Sequence, residues 1–564
     1  MTVRFQKLPE FLQSHYRLRP APKSREARLG WLGPLLMAGV ALVTRLVNLG
    51  AIRTLIFDET YYVKDAYALM KRGYEVKWPK GYDEYFAAGN FHLPVEGSFV
   101  VHPPVGKFLI GLGMEIFGNN PWGWRIAVCL AGAISVFVVG RIMFHLFGNA
   151  KMATLASLLM VLDGIQVVMS RTALLDGILE MFILLGVLCA VRDQLSYRPR
   201  LLAALVKAKT QRIARKASLA EQPDVPAPEP PSTEEASAKE TPSVGETPSV
   251  VKSDEKTSLS PRTAQWWRPW LFAAGVMWGL ATAVKWSGLY VIAVFGIFVF
   301  IRELSARWSS EPRWISSSIL AGGVPAFLNL VPISGVVYIL SWIGWFTHPR
   351  AWGHTVGGSL WNEWLNYHLE ILSFHTNLST KHNYQSNPWG WLLQLRPTAF
   401  RFEEVPNCNT GDCVSAITSL GNPILWWTGF AALWVVVVAA FVFLDWRAAL
   451  IFTGVVSTYG MWLIYADRTV FTFYTVVISP FIIMALTYVL GLLMGQWSVT
   501  KDTFLTGRYN PVPGGFLSSP IALGVAWALI LLILAAAVFF YPVWTGMVIP
   551  RDHFYWRMWL TSWI

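Results

Sequence analysis

Long apolar runs recur along this chain, most of them long enough to cross a bilayer. A stretch of about 18 apolar residues reads as a membrane helix, because the hydrocarbon layer offers no water to unpaired backbone groups. Such runs lie near 31–50, 124–147, 150–170, 174–192, 269–286, 288–302, 316–346, 423–444, 448–465, 470–495 and 519–541. The expected fold is therefore an all-α integral membrane bundle of about eleven helices. The fifth and sixth runs share the short turn Ser287-Gly288, and the sixth is short. The run 316–346 carries Pro325 and Pro332 and is expected to kink or tilt. Only 14% of the residues are charged, against 54% hydrophobic. Soluble domains carry about a quarter charged residues, so a soluble multidomain chain is excluded. Collagen-like, globally disordered and disulfide-framework classes are excluded as well.

The net charge of +12 would suggest nucleic acid in a soluble protein. In a membrane protein, Lys and Arg collect on the cytoplasmic side and set orientation. The first thirty residues form a basic tail (Arg4, Lys7, Arg17, Arg19, Lys23, Arg25, Arg28) without a cleavage signal, so the N-terminus is expected inside. Inner loops then carry Arg141, Lys151, Arg198 to Lys216, Arg302, Arg307, Arg313, Arg447, Lys501 and Arg508.

Spans 1–4 fill 31–196 and include a first outer loop, 51–123. Residues 197–268 interrupt the pattern. They open on a basic amphipathic segment expected on the inner leaflet. A Pro-, Ser-, Thr- and Glu-rich tract follows that buries too little apolar area to fold. Spans 5–7 fill 269–346, a second outer loop runs 347–422, spans 8–11 fill 423–541, and an outer tail closes 542–564. Both outer loops carry helical apolar spacing expected at the membrane interface. Loops of such length tend to be functional. Cys408 and Cys413 in NCNTGDC match no zinc or redox spacing and read as a short-loop disulfide, which requires an oxidising compartment.

Ionisable groups at membrane depth are costly and usually functional. On this topology Arg45, Arg125, Asp163, Arg171, Asp176, Lys285, Asp467 and Arg468 fall at the outer edge, with Asp58, Glu59, His102 and Lys107 in the loop above. Each has a plainer reading. Arg45, Arg125 and Lys285 could snorkel, Arg171 could pair with Asp176, and Asp163 could pair with an Arg. The adjacent acids Asp58-Glu59 could cap a helix. Alternatively, because helical neighbours point about 100° apart, one could act while the other orients. The histidines at 348, 354, 368, 375 and 382 show no metal-ligand pattern. No nucleotide fingerprint stands out.

These stretches resemble the dolichyl-phosphate-mannose–protein mannosyltransferases, glycosyltransferase family 39, in its actinobacterial form. The resemblance is carried by FDETYYVKDA, HPPVGKFLIGLG, WRIAV, SRTALLDG, AVKWSGLY, HNYQSNPWGW and the terminal MWLTSWI. It implies a GT-C glycosyltransferase bundle in the cell membrane with an extracytoplasmic active site. It also implies transfer of mannose from polyprenyl-phosphate mannose to Ser or Thr of exported proteins. Asp58 resembles the catalytic acid, with Glu59 beside it. Arg45, Arg125 and Lys285 resemble donor-binding positions, and His102, Lys107, Asp163 and Arg171 join them. His375, His382 and Tyr384 are acceptor or loop candidates. No cofactor is implied as required, and a divalent cation is left open. The implied partners are the lipid donor, exported acceptors, membrane lipid and the secretion translocon, but not nucleic acid. The 347–422 loop is too short for the sugar-binding MIR domain of eukaryotic members.

The chemistry agrees with the charge map. A phosphate leaving group needs cations more than a general acid, and a Ser/Thr hydroxyl needs a base, for which Asp58 is placed. One essential carboxylate gives inversion; retention would need a second as nucleophile. A related enzyme acting on a lipid or polysaccharide is the nearest alternative. A transporter is the next, but it predicts repeated halves and midplane charges.

Overall fold

The computed structural model describes residues 24–220, 265–308, 313–408, 411–497 and 519–564. The first 23 residues, the Pro/Ser-rich tract within 221–264, and Lys501 and Arg508 lie outside the described residues. Helices dominate. In chain order they include α1 (Ser24–Leu46), α2 (Glu59–Arg72), α3 (Val105–Phe117), α4 (Pro121–Phe147), α5 (Ala150–Val161), α6 (Asp176–Ala220) and α7 (Pro269–Thr282). They continue with α8 (Gly288–Arg307), α9 (Val324–Ser341), α10 (Leu360–Asn377), α11 (Pro423–Phe441), α12 (Trp446–Ile464), α13 (Ser479–Leu493) and α14 (Pro520–Thr545).

Every expected span coincides with a helix. Seven stretches are long and apolar enough to cross a membrane: α1, α4, α8, the stretch Trp314–Ser341 that ends in α9, α11, α12 and α14. The shorter α5, α7 and α13 are cut off by polar contacts. The apolar run containing α5 breaks where Asp163 accepts from the Asn422 amide at 3.1 Å and the Trp426 indole at 2.9 Å. The run containing α7 stops at Ala283, whose carbonyl takes the Val105 amide at 3.1 Å. The run containing α13 opens with the 3-10 turn Thr472–Val477. In the long run 316–346 the irregularity is a π-helical segment, Ser318–Gly323, just before Pro325.

The boundary expected at 197 is not a break. Helix α6 continues through Pro199 to Ala220, because Tyr197, Leu201, Leu202 and Leu205 pack against Ala306 of α8. The all-helical expectation also missed a small sheet in the second loop and the C-terminal tail. Strands β1 (Thr398–Cys408), β2 (Gly411–Ser419) and β3 (Val548–Pro550) form an antiparallel sheet in that order. Phe402 lies opposite Ala416, and Val414 opposite Ile549. Its buried face, Val414, Ala416 and Ile417, joins the main core with Trp544 of α14. Cys408 and Cys413 are joined across the hairpin tip.

A second apolar cluster sits over the bundle, built from Tyr74 and Val76, Trp342 and Trp345, and Trp364, Tyr367 and Ile371 of α10. It holds α10 against the end of α2. The opposite face of α10 leaves Trp361, Leu365, Leu369 and Leu372 exposed, the stripe expected of a helix lying at a membrane interface.

Candidate active site

The adjacent acids behave in opposite ways. Phe57 has φ 51°, a left-handed conformation that turns the chain into α2 and is uncommon for a non-glycine residue. Asp58 follows at the N-cap position but makes no side-chain cap bond. Its carboxylate has no hydrogen-bond partner among the described residues and is half-buried. Burial pushes it up to about 6; Lys285 draws it down and Asp176 raises it. Glu59 is fully buried. It accepts from the Ile56 and Ala173 amides at 3.0 and 2.8 Å and from Arg125 Nε and Nη2 at 2.8 and 2.7 Å. One acid is open and the other is saturated.

The cap reading of Asp58 therefore fails, and several cations are engaged in structural contacts. Arg125 gives its remaining N–H groups to the carbonyls of Leu49, Ile52 and Thr54. All five of its donors hold the 49–59 loop to α4, so none is left for a donor phosphate. Arg171 does not pair with Asp176; its donors go to the carbonyls of Arg45, Val47 and Asn48. Lys107 is buried between Glu75 Oε1, at 2.5 Å, and the His102 carbonyl, at 3.0 Å. Asp163 ties Asn422, Trp426 and Ser479 together inside the bundle. Arg45 is fully buried with no hydrogen-bond partner among the described residues, and its charge is felt by Glu180. These residues hold the bundle and its loop together and leave no donor or acceptor turned to Asp58.

What converges on Asp58 is a smaller set. Lys285, in the break between α7 and α8, pairs with Asp176 Oδ2 at 2.8 Å and sits 5.2 Å from the Tyr474 ring centre. Arg468 donates from Nη2 to His375 Nδ1 at 2.8 Å, while its Nε has no partner among the described residues. His375 is pushed down to about 4 by burial, helped by Arg468 and Lys285. His102 is held well below its usual range by burial and by Lys285, His375 and Lys107. Both rings are neutral at pH 7, and their centres lie 5.7 Å apart. Tyr62 lies 6.0 Å from His102, and Trp286 6.1 Å from His375. His368 bonds Tyr338 Oη at 2.7 Å. Among the described residues no three His, Cys, Asp or Glu side chains converge as a metal site.

On the other side of Asp58, Phe57 stacks on Phe400 of β1 at 4.7 Å and meets Phe471, Phe473 and His382 edge-on. His382 Nδ1 accepts the Tyr384 amide at 3.1 Å, and Arg396 lies 5.4 Å from the Tyr384 ring. Arg468 and Tyr474 were given no role from sequence. The available signal was an Asp-Arg pair in a short polar break between two apolar runs.

Two family models match the chain: the dolichyl-phosphate-mannose-protein mannosyltransferase region over residues 101–208, and the C-terminal four-span region of protein O-mannosyltransferase over 360–563. Together they cover more than half of it. The polyprenol-phosphate-mannose–protein mannosyltransferase of Mycobacterium tuberculosis is 29% identical, over 95% of this chain and 92% of its own length. That of Corynebacterium glutamicum is 28% identical, over 97% and 96%. Among solved structures, the Saccharomyces cerevisiae protein O-mannosyltransferase Pmt1–Pmt2 complex bound to the sugar donor aligns with a TM-score of 0.66. That alignment covers 98% of this chain and 94% of the other at 12% identity, a likeness of fold.

Proposed function

We propose that this chain, a member of the dolichyl-phosphate-mannose–protein mannosyltransferase family, transfers mannose from a polyprenyl phosphate to Ser and Thr hydroxyls of exported proteins. The observation that carries the mechanism is the unequal acid pair, Asp58 open and Glu59 closed. A carboxylate near 6 is ionised at neutral pH yet basic enough to take a hydroxyl proton in the transition state. The acceptor oxygen attacks the mannose carbon from the side opposite the phosphate, and its proton goes to Asp58. The carbon–oxygen bond to phosphate breaks and its electron pair leaves with the phosphate. Retention would need a second free carboxylate, and Glu59 is closed by Arg125, so single displacement with inversion is favoured.

Lys285 and Arg468 are the cations best placed to meet the leaving phosphate. Lys285 keeps Asp176 as a counter-ion, and Arg468 retains a partnerless buried Nε. Arg125 and Arg171 act one step back, by fixing the loop that presents Asp58. The Asp58 group is assigned to the extracytoplasmic face of the cell membrane, with the N-terminus inside. The basic inner ends support this, as does the Cys408–Cys413 disulfide in the loop beside the site. A place next to the secretion translocon would deliver acceptors before they fold.

The test uses membranes holding the wild-type chain or Asp58→Asn, labelled polyprenyl-phosphate mannose and a Ser/Thr peptide. Loss of a general base costs about 10²–10⁴-fold in rate, so Asp58→Asn should fall by at least about a hundredfold at unchanged protein level. Near wild-type turnover would sink the assignment.

A further inference from the structure

Strand β1 has a neighbour on one side only. It pairs with β2 along its length, and the three-residue β3 lies beyond β2. Among the described residues no other backbone group bonds to Thr398–Cys408. The outward amides and carbonyls of β1 therefore form an open edge, the kind that templates another strand. The far end is blunted by Pro406 and by the register shift between Val405 and Cys408. The near end is not. There Phe400, at a second shift between Ala399 and Arg401, stacks on Phe57, the residue before Asp58. Bulges re-aim side chains beside active sites. A strand laid along β1 would lie about 4.8 Å from it, a spacing equal to the 4.7 Å stack of Phe57 on Phe400. Its side chains would pass the Asp58 carboxylate.

Resting on the reading of the chain as a mannosyltransferase, we propose that the acceptor polypeptide binds in extended form as an added strand on the outer edge of β1. Pairing of this kind reads the main chain and tolerates many side chains. It suits Thr- and Val-rich segments, which favour extended backbone. It would let a chain with a short outer loop take varied acceptors without a separate recognition domain. Alternation along a strand would then turn every second side chain of the acceptor towards Asp58.

The test is a backbone scan of a peptide with one acceptor Thr, each flanking amide N-methylated in turn, on the wild-type enzyme in membranes. Added-strand binding predicts alternation: methylation at every second residue lowers kcat/KM by about tenfold, and at the intervening residues by less than about twofold. A second arm places the strand. In Phe402→Cys, a peptide carrying an activated disulfide should form a mixed disulfide that excess unmodified acceptor blocks; Val356→Cys, in the exposed part of the same loop, should not. A flat scan with transfer intact overturns the proposal alone. Alternation without capture at 402 overturns β1 as the edge. No transfer to the unmethylated peptide overturns the mannosyltransferase reading and this proposal with it.

Discussion

At the scale of single residues, the site depends on which polar groups are already engaged. The sequence places Asp58, Glu59 and several cations near one membrane face, but residue type cannot say which will be saturated by the fold. Arg125 and Arg171 look like phosphate ligands in sequence, yet their donors go to backbone carbonyls of residues 45–54 and, for Arg125, to Glu59. Carbonyls carry no sequence signature, so this consumption was not legible, and neither was Arg468. The exposure of Asp58 has a consequence for pH. Its ionised form is the base and its pKa is raised to about 6, so kcat/KM should be level near pH 7–8. It should fall towards tenfold per unit once the pH drops below about 6. His102 and His375 are already neutral in that range and add no limb of their own. Asp65 lies two turns along α2 and is pushed up to about 7 by burial, with Lys107 and Lys64 pulling against Glu75. Asp65→Asn should leave the acid limb in place. Full activity at pH 5 would remove Asp58 as the base.

At the scale of elements, the long helices were readable because their apolar runs exceed anything a soluble core requires. The shorter ones were overestimated where a polar contact ends the helix inside the run, as at Asp163 and Ala283. The hairpin was missed, although β-branched and aromatic residues flank the Asn-, Gly- and Asp-rich NCNTGDC turn, a strand–turn–strand signal. The closeness of α3 to α4 was not visible at all. It depends on Gly123, where an added Cβ would lie 2.0 Å from the Gly118 carbonyl oxygen and 3.2 Å from the Met114 backbone. Backbone cannot yield there as a side-chain tip can. Gly123→Ala should therefore cost about 1–3 kcal/mol by overpacking, read as a lower melting temperature in detergent. Arg125 sits two residues further along α4, so transfer per folded molecule should drop as well. An unchanged melting temperature would show that the two helices are free to move apart.

For the whole molecule, the one-sidedness of charge that pointed to a function is incomplete. A second buried ionic group lies at the other end of α7, about 20 Å from Lys285 by helix rise. There Arg268 bonds Asp193 of α6 and Glu303 of α8, and Tyr197 bonds Glu303. Its members are as buried as those around Asp58, so burial of charge alone does not mark the active face. Completion does. Arg268 has its acids on both sides, while Asp58 and one edge of Arg468 face space without a partner. The inner group should then be a clamp that holds α6, α7 and α8 in register and takes no part in the chemistry. Removing one partner of a buried pair leaves an uncompensated charge and costs about 3–5 kcal/mol. Arg268→Met should lower the folded fraction and the melting temperature by that order. The protein that does fold should keep its pH limb near 6 and its KM for the lipid donor. A shift in either would mean that the inner end communicates with Asp58 through α7, and that the helix transmits more than its length.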